Sequence, residues 1–152
     1  MENNDVLRKV RYIFDFSDKQ MIEIFGLADL TVNREQVSNW LKKDDDDDFK
    51  IIDDVVLAIY FNGLIIKNRG KKDGPQPEPE IFLDNNGILR KLKIALNFKD
   101  VDMIEVFALA DRNISKHELS AFFRKSDHKN FRRCNDQNLR NFLMGLQLKF
   151  RG

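Results

Sequence analysis

Asn3-Asn4-Asp5-Val6-Leu7-Arg8-Lys9 is written again 82 residues later as Asn85-Asn86-Gly87-Ile88-Leu89-Arg90-Lys91. The same offset carries Met21-Ile22-Glu23-Ile24-Phe25 onto Met103-Ile104-Glu105-Val106-Phe107, and the copies close on Arg69-Gly70 and Arg151-Gly152. Residues 3–70 align with 85–152 without a gap, with 25 of 68 positions identical. Self-similarity at one fixed offset is the mark of a duplicated structural unit. Between the copies lies Lys71 to Asp84, which holds all three prolines, Pro75, Pro77 and Pro79. Gly-Pro-Gln-Pro-Glu-Pro cannot be helical and favours an extended, semi-rigid linker. The chain therefore divides into a first helical repeat over 1–70, a proline-rich linker over 71–84 and a second helical repeat over 85–152.

Within each copy the apolar spacing is helical. Leu57, Tyr60, Phe61 and Leu64 form an i, i+3, i+4, i+7 stripe, matched by Leu139, Phe142, Leu143 and Leu146. Val37, Trp40 and Leu41 recur as Leu119, Phe122 and Phe123. Ser115-Lys116-His117-Glu118 reads as a capping box, Asn33 is the matching cap, and Asp18 and Asp100 are expected to cap the second helix of each copy. The spacing predicts four helices per copy, near 4–15, 18–29, 34–43 and 53–67 and the same plus 82. No stretch alternates at period two for long enough to suggest a strand. The expected fold is all-α, a tandem duplication of a four-helix unit with about eight helices in total.

Composition bounds the setting. The 152 residues are 42% hydrophobic and carry 26 basic against 25 acidic side chains, so a disordered charged tail is excluded as the whole chain. No window approaches the ~20 apolar residues of a membrane span. Met1 to Asp5 has no signal-peptide pattern, and Cys134 is the single cysteine, so the expected location is cytoplasmic and reducing.

The copies differ in two respects. In the last helix of the first copy Val55, Val56, Ala58, Ile59 and Ile65 are apolar outside the shared stripe, where the second copy has Gln137, Asn138, Arg140, Asn141 and Gln147. A helix apolar all round faces something beyond its own unit, either the other half or a second chain. Gly63 and Gly145 lie inside this helix, at a cost of about 1 kcal/mol against alanine that a close helix crossing would offset. The second difference is charge: the first copy is net −4, the linker −2 and the second copy +7. Much of it falls in one equivalent loop, Lys42-Lys43-Asp44-Asp45-Asp46-Asp47-Asp48-Phe49-Lys50 against Arg124-Lys125-Ser126-Asp127-His128-Lys129-Asn130-Phe131-Arg132-Arg133. Such runs are either solvated loops, opposed fields that steer assembly, or, for the basic one, a contact for an anionic polymer.

Catalytic chemistry has little footing. His117, His128 and Cys134 stand opposite Glu35, Asp46 and Ile52, so no active site is duplicated. One Cys and two spaced His do not make a zinc set, and an EF-hand loop starting at Asp44 would place Phe49 where Gly belongs and Val55 where Glu belongs. The seven glycines are scattered and form no phosphate loop. No metal site, cofactor or small-molecule ligand is expected, which leaves open only loose Mg²⁺ or Ca²⁺ association with the five carboxylates Asp44 to Asp48. Arg34 to Lys43 has the letters of a helix-turn-helix recognition helix, but the break from Gly26 to Asn33 is about twice the usual 3–4-residue turn, and Val37, Trp40 and Leu41 are needed in the core. Arg8/Arg90, Lys9/Lys91, Asp29/Asp111, Lys43/Lys125, Asp45/Asp127 and Asp54/Asp136 are polar in both copies, as helix caps, dipole partners and ion pairs would be, or the walls of a shared groove.

The paired Asn-Asn-x-x-Leu-Arg-Lys openings, Val37 to Lys43, Asn62-Gly63-Leu64-Ile65 and Asp127 to Cys134, with the proline-rich linker, resemble the YehS-like family of small bacterial proteins. The resemblance covers essentially the whole chain. It implies a duplicated domain of unknown function in cytoplasmic bacterial proteins, with no catalytic or cofactor residue to transfer.

The reading that follows is a non-enzymatic helical binding module. Its first candidate partner is nucleic acid, met by Arg124, Lys125, Lys129, Arg132 and Arg133 of the second repeat, with Phe131 able to stack only if exposed. The alternative is a protein–protein adaptor or self-associating scaffold, a homodimer among the possibilities, using Val55, Val56, Ile59 and Ile65 of the 53–67 helix and the oppositely charged loops.

Overall fold

A computed structural model describes residues 1–152, and in it the chain is eight helices with no strand. The helices fall into two units, Met1–Leu83 and Asp84–Gly152. The first contains α1 (Asn3–Phe14), α2 (Asp18–Leu27), α3 (Arg34–Leu41) and α4 (Asp54–Arg69). The second repeats them as α5 (Asn85–Ala95), α6 (Asp100–Leu109), α7 (Lys116–Phe122) and α8 (Asp136–Phe150). No helix is long and apolar enough to cross a membrane.

The helix starts follow side-chain capping. Asn33 accepts from the Gln36 amide at 2.8 Å and Gln36 returns the bond at 2.9 Å; Ser115 and Glu118 do the same at 3.0 and 3.3 Å. The Ser115 amide, and after it Arg112, hold the Glu118 carboxyl below its usual range. Asp18 and Asp100 are not the caps expected for α2 and α6. Ser17 caps α2, reciprocally with Gln20, and the Lys99 amide at the head of α6 donates to Asp102 at 2.8 Å. Asp18 and Asp100 stand one position later, already helical, where their carboxylates favour the positive helix end and reach back to the preceding helix. There they meet Arg11 at 3.1 Å and Lys93 at 2.7 Å. The helix ends are paired as well: Asp15 and Asn97 close α1 and α5, and Asp29 and Asp111 follow α2 and α6, all four at positive φ. Asn and Asp are the non-glycine residues that enter that region at least cost.

Each unit is centred on one close helix crossing, α2 on α4 and α6 on α8. A Cβ at Gly63 would lie 1.9 Å from the Ile24 carbonyl oxygen, and one at Gly145 would lie 1.9 Å from that of Val106. The two glycines let one backbone rest on the other, which offsets their cost in a helix interior. Around the crossing Leu7, Met21, Phe25, Leu57, Phe61 and Leu64 are almost wholly buried, as are Leu89, Leu92, Met103, Phe107, Leu139 and Phe142 in the second unit. Phe25 packs on Tyr60 at 5.1 Å and on Trp40 at 5.3 Å; Phe107 packs on Phe142 at 5.1 Å. Val37 is buried and Trp40 and Leu41 are half-buried, so the helix with recognition-helix letters turns its apolar side chains inward.

Tyr60 occupies the place of Phe142 and carries a hydroxyl into this core. That hydroxyl reaches the Met21 sulfur at 3.5 Å, a weak acceptor, and burial drives its pKa upward. Tyr60→Phe removes a poorly served polar group without changing the ring, and the second unit already folds with Phe there. We expect it to be neutral or stabilising by up to ~1 kcal/mol in urea unfolding; a loss of more than that would mean the hydroxyl is better satisfied than the thioether contact indicates.

Candidate nucleic-acid interface

The loop between α7 and α8 is held on the body of its unit by one buried side chain. Asn86, the second residue of α5, donates through Nδ2 to the Phe122 carbonyl at 2.9 Å and the Arg132 carbonyl at 2.8 Å, and its Oδ1 accepts from the Cys134 amide at 2.9 Å. The Arg132 amide donates to the Ala121 carbonyl at 3.1 Å. Asn85, beside it, donates to the Cys134 carbonyl at 3.1 Å and to Asp136 at 2.8 Å, which joins the loop's exit to the start of α8. The first unit repeats this bond for bond: Asn4 takes the carbonyls of Trp40 and Lys50 and the Ile52 amide, while Asn3 takes the Ile52 carbonyl and Asp54. A fully satisfied buried amide is stabilising and geometrically exacting, which explains the doubled Asn-Asn.

Between these anchors the two loops share a backbone. The His128 amide donates to the Lys125 carbonyl at 2.9 Å and the Phe131 amide to the His128 carbonyl at 3.0 Å; Asp46 to Lys43 and Phe49 to Asp46 match them at 3.0 and 3.1 Å. The Asn130 amide donates to His128 Nδ1 at 3.0 Å, where the first unit has the Asp48 amide on the Asp46 carboxylate at 2.9 Å. His128 and Asp46 thus do the same local job, each closing a turn on its own backbone.

On this common backbone the charges are opposite. Asp44 to Asp48 are all exposed, with Lys42 reaching Asp48 at 3.4 Å. In the second unit Lys125, Lys129, Arg132 and Arg133 are exposed and none is engaged by a carboxylate. Arg124 is only half-buried, and its Nε is enclosed without an acceptor, so it stands apart from the four exposed cations. Phe131, like its twin Phe49, is half-buried and packs rather than stands free to stack. The aromatic beside the cations is Phe123, with Lys93 5.0 Å and Arg90 5.9 Å from its ring centre. Arg90 also donates to the Phe123 carbonyl at 3.0 Å, and Arg8 to that of Lys42 at 2.6 Å, so this shared arginine serves the C-terminal end of the short third helix of each unit.

The nucleophile and base candidates are placed differently. Cys134 is buried, and burial first, then Asp84 and Asp136, push its thiol up to about 12. His117 is exposed in the first turn of α7, and His128 is exposed and committed to its turn. No group of three or more His, Cys, Asp or Glu is disposed to hold a metal ion.

Val55, Val56, Ile59 and Ile65 of α4 are half-buried and Ala58 is buried. Two features escaped sequence reasoning. Asn4 and Asn86 had a signal, an amide at a helical position beside the apolar stripe in both copies, but their partners lie 36 to 48 residues away. Ile81 and Phe82, at the end of the proline-rich segment, are 73% and 87% exposed, whereas the next residue, Leu83, is buried and its amide donates to Asp54 at 2.8 Å.

Comparison with known proteins agrees with the duplicated architecture. The family described as protein of unknown function (DUF1456) matches twice, at residues 3–70 and 85–152. The chain is 41% identical over 147 residues to the uncharacterized protein YehS of Escherichia coli (strain K12), covering 96% of this chain and 94% of that protein. No solved structure matches. The two matched segments coincide with the two copies read from the sequence, and the likeness to YehS runs nearly end to end: the chain belongs to the DUF1456 family and carries its domain twice.

Proposed function

We propose that the chain is a non-enzymatic binding module whose second repeat contacts the phosphate backbone of nucleic acid through Lys125, Lys129, Arg132 and Arg133. The observation that carries this reading is the contrast between two loops of one backbone geometry. One bears four exposed, uncommitted cations and the other five aspartates. Long basic side chains on a loop fixed at both ends lose little backbone entropy on meeting phosphate, and guanidinium groups pair with it bidentately. Arg90 adds a further cation on α5 beside Phe123, while Lys93 is already paired with Asp100. The non-enzymatic part of the proposal is supported by Cys134, whose thiol is far from ionised at neutral pH.

Binding of labelled single-stranded RNA and duplex DNA, measured across a salt series, tests the proposal. With three to four phosphates neutralised, log Kd against log salt for duplex DNA should have a slope of about 3, and the triple change Lys129→Glu, Arg132→Glu, Arg133→Glu should remove most of it. No binding to either polymer at low salt, where such contacts are strongest, sinks the reading. A protein-binding role is favoured separately by the half-buried apolar side of α4 and the exposed Ile81-Phe82 pair.

A further inference from the structure

His128 sits among the four exposed cations of the α7–α8 loop, between Asp127, the loop's one carboxylate, and Lys129. Its Nδ1 accepts from the Asn130 amide at 3.0 Å. A backbone N–H can only donate, so this ring nitrogen carries no proton. The neutral imidazole therefore holds its single N–H at Nε2. The two ring nitrogens point to nearly opposite sides, so with Nδ1 turned onto the loop backbone Nε2–H faces away from it. His128 is exposed, and no group of the chain accepts that hydrogen.

The twin loop shows what the exchange of residue adds. Asp46 closes the same turn by accepting from the Asp48 amide at 2.9 Å, and a carboxylate only accepts. Histidine at this place keeps the acceptor the turn needs and has a donor left over. Lysine or arginine could not serve here, because neither accepts a hydrogen bond. We propose that His128 is a fifth phosphate contact of the basic loop, an uncharged one, donating from Nε2 to a phosphate oxygen. The inference rests on the nucleic-acid reading and adds to that surface a member whose contribution is not ionic. Lys125, Lys129, Arg132 and Arg133 would bind by displacing counterions and so weaken as salt rises, whereas a neutral N–H donor displaces none.

The full chain and its His128→Ser variant are titrated with labelled single-stranded RNA and duplex DNA across a salt series at about pH 8. Serine keeps an oxygen that can close the turn, but its hydroxyl is too short to reach where Nε2 stands. The change should weaken binding about five- to tenfold at every salt concentration and leave the salt slope as it was. Unaltered affinity would make His128 a turn residue only, and a slope lowered by about 0.7–0.9 would make it a charged contact. Either result overturns the inference while the nucleic-acid reading stands; no binding by the unaltered chain at low salt removes both. A long-range proton–nitrogen NMR correlation of the free protein gives a readout that needs no nucleic acid. It should show His128 with its proton on Nε2, and the opposite tautomer overturns the inference.

Discussion

Gly145→Ala is expected to unfold the second unit under conditions where the first still folds. The new methyl carbon would sit 1.9 Å from the Val106 carbonyl oxygen, a backbone atom that cannot swing aside as a flexible side chain would. Relief requires α6 and α8 to separate, and that opens the contact between Phe107 and Phe142. Overpacking usually costs 1–3 kcal/mol, and a clash between two helix backbones belongs at or above the top of that range, about 3 kcal/mol. For a unit of this size that corresponds to a fall of roughly 12–24 °C in Tm. Gly63→Ala, 1.9 Å from the Ile24 oxygen, should do the same to the first unit. Calorimetry with a tryptophan signal separates them, because Trp40 reports on the first unit alone. A fall of less than a few degrees for both would mean that the crossing is looser than its geometry.

The second large effect is expected at Asn86. Truncation to alanine strands the carbonyls of Phe122 and Arg132 and the amide of Cys134 together, in a place where the side chain is 5% exposed. Each buried group left unpaired costs about 1–3 kcal/mol, and partial opening of the loop to water caps the total near ~3 kcal/mol. The proposed phosphate contact should weaken with it although every basic residue remains, because the cations would then sit on a loop that must be ordered on contact. Asn86→Asp separates charge from shape. Its carboxylate would face two carbonyl oxygens, so the folded-state pKa rises above the unfolded value of about 3.9. An acid raised in this way contributes its stability below the unfolded pKa and loses it as pH rises through the folded one. The variant should approach the wild type in stability toward pH 4 and fall away at neutral pH. A stability difference that does not change with pH would show that residue 86 is wet.

What the letters reveal and what they hide divide along sequence distance. The duplication, the helix count and the caps at Asn33 and Ser115 depend on neighbours within a turn or two, and the structure has them where the spacing puts them. Gly63 and Gly145 could be read as a helix contact because glycine is costly in a helix and these recur in both copies. Asp18 and Asp100 misled because the residue common to both copies is taken for the cap, while the caps themselves differ, Ser17 in one copy and Lys99 in the other. The basic loop was visible as a run of letters, but Arg124 looks no different from its neighbours until its Nε is seen to be enclosed. Of the apolar Ile81-Phe82-Leu83, only the last is anchored, and that rests on Asp54, 29 residues earlier. Long-range pairs of this kind have no local signature in one sequence.

The Asn clamp has a consequence for how such a chain can change. Because both ends of the α3–α4 and α7–α8 loops are secured by side chains on α1 and α5, folding asks little of what lies between. Five aspartates and a mixture of Lys, His and Asn occupy the same backbone there. The domain therefore behaves as a mount with an interchangeable faceplate: after duplication one faceplate could reverse its polarity while the mount beneath it stayed the same. The two copies are 25 identities alike where they must stand and opposite in sign where they face the solvent.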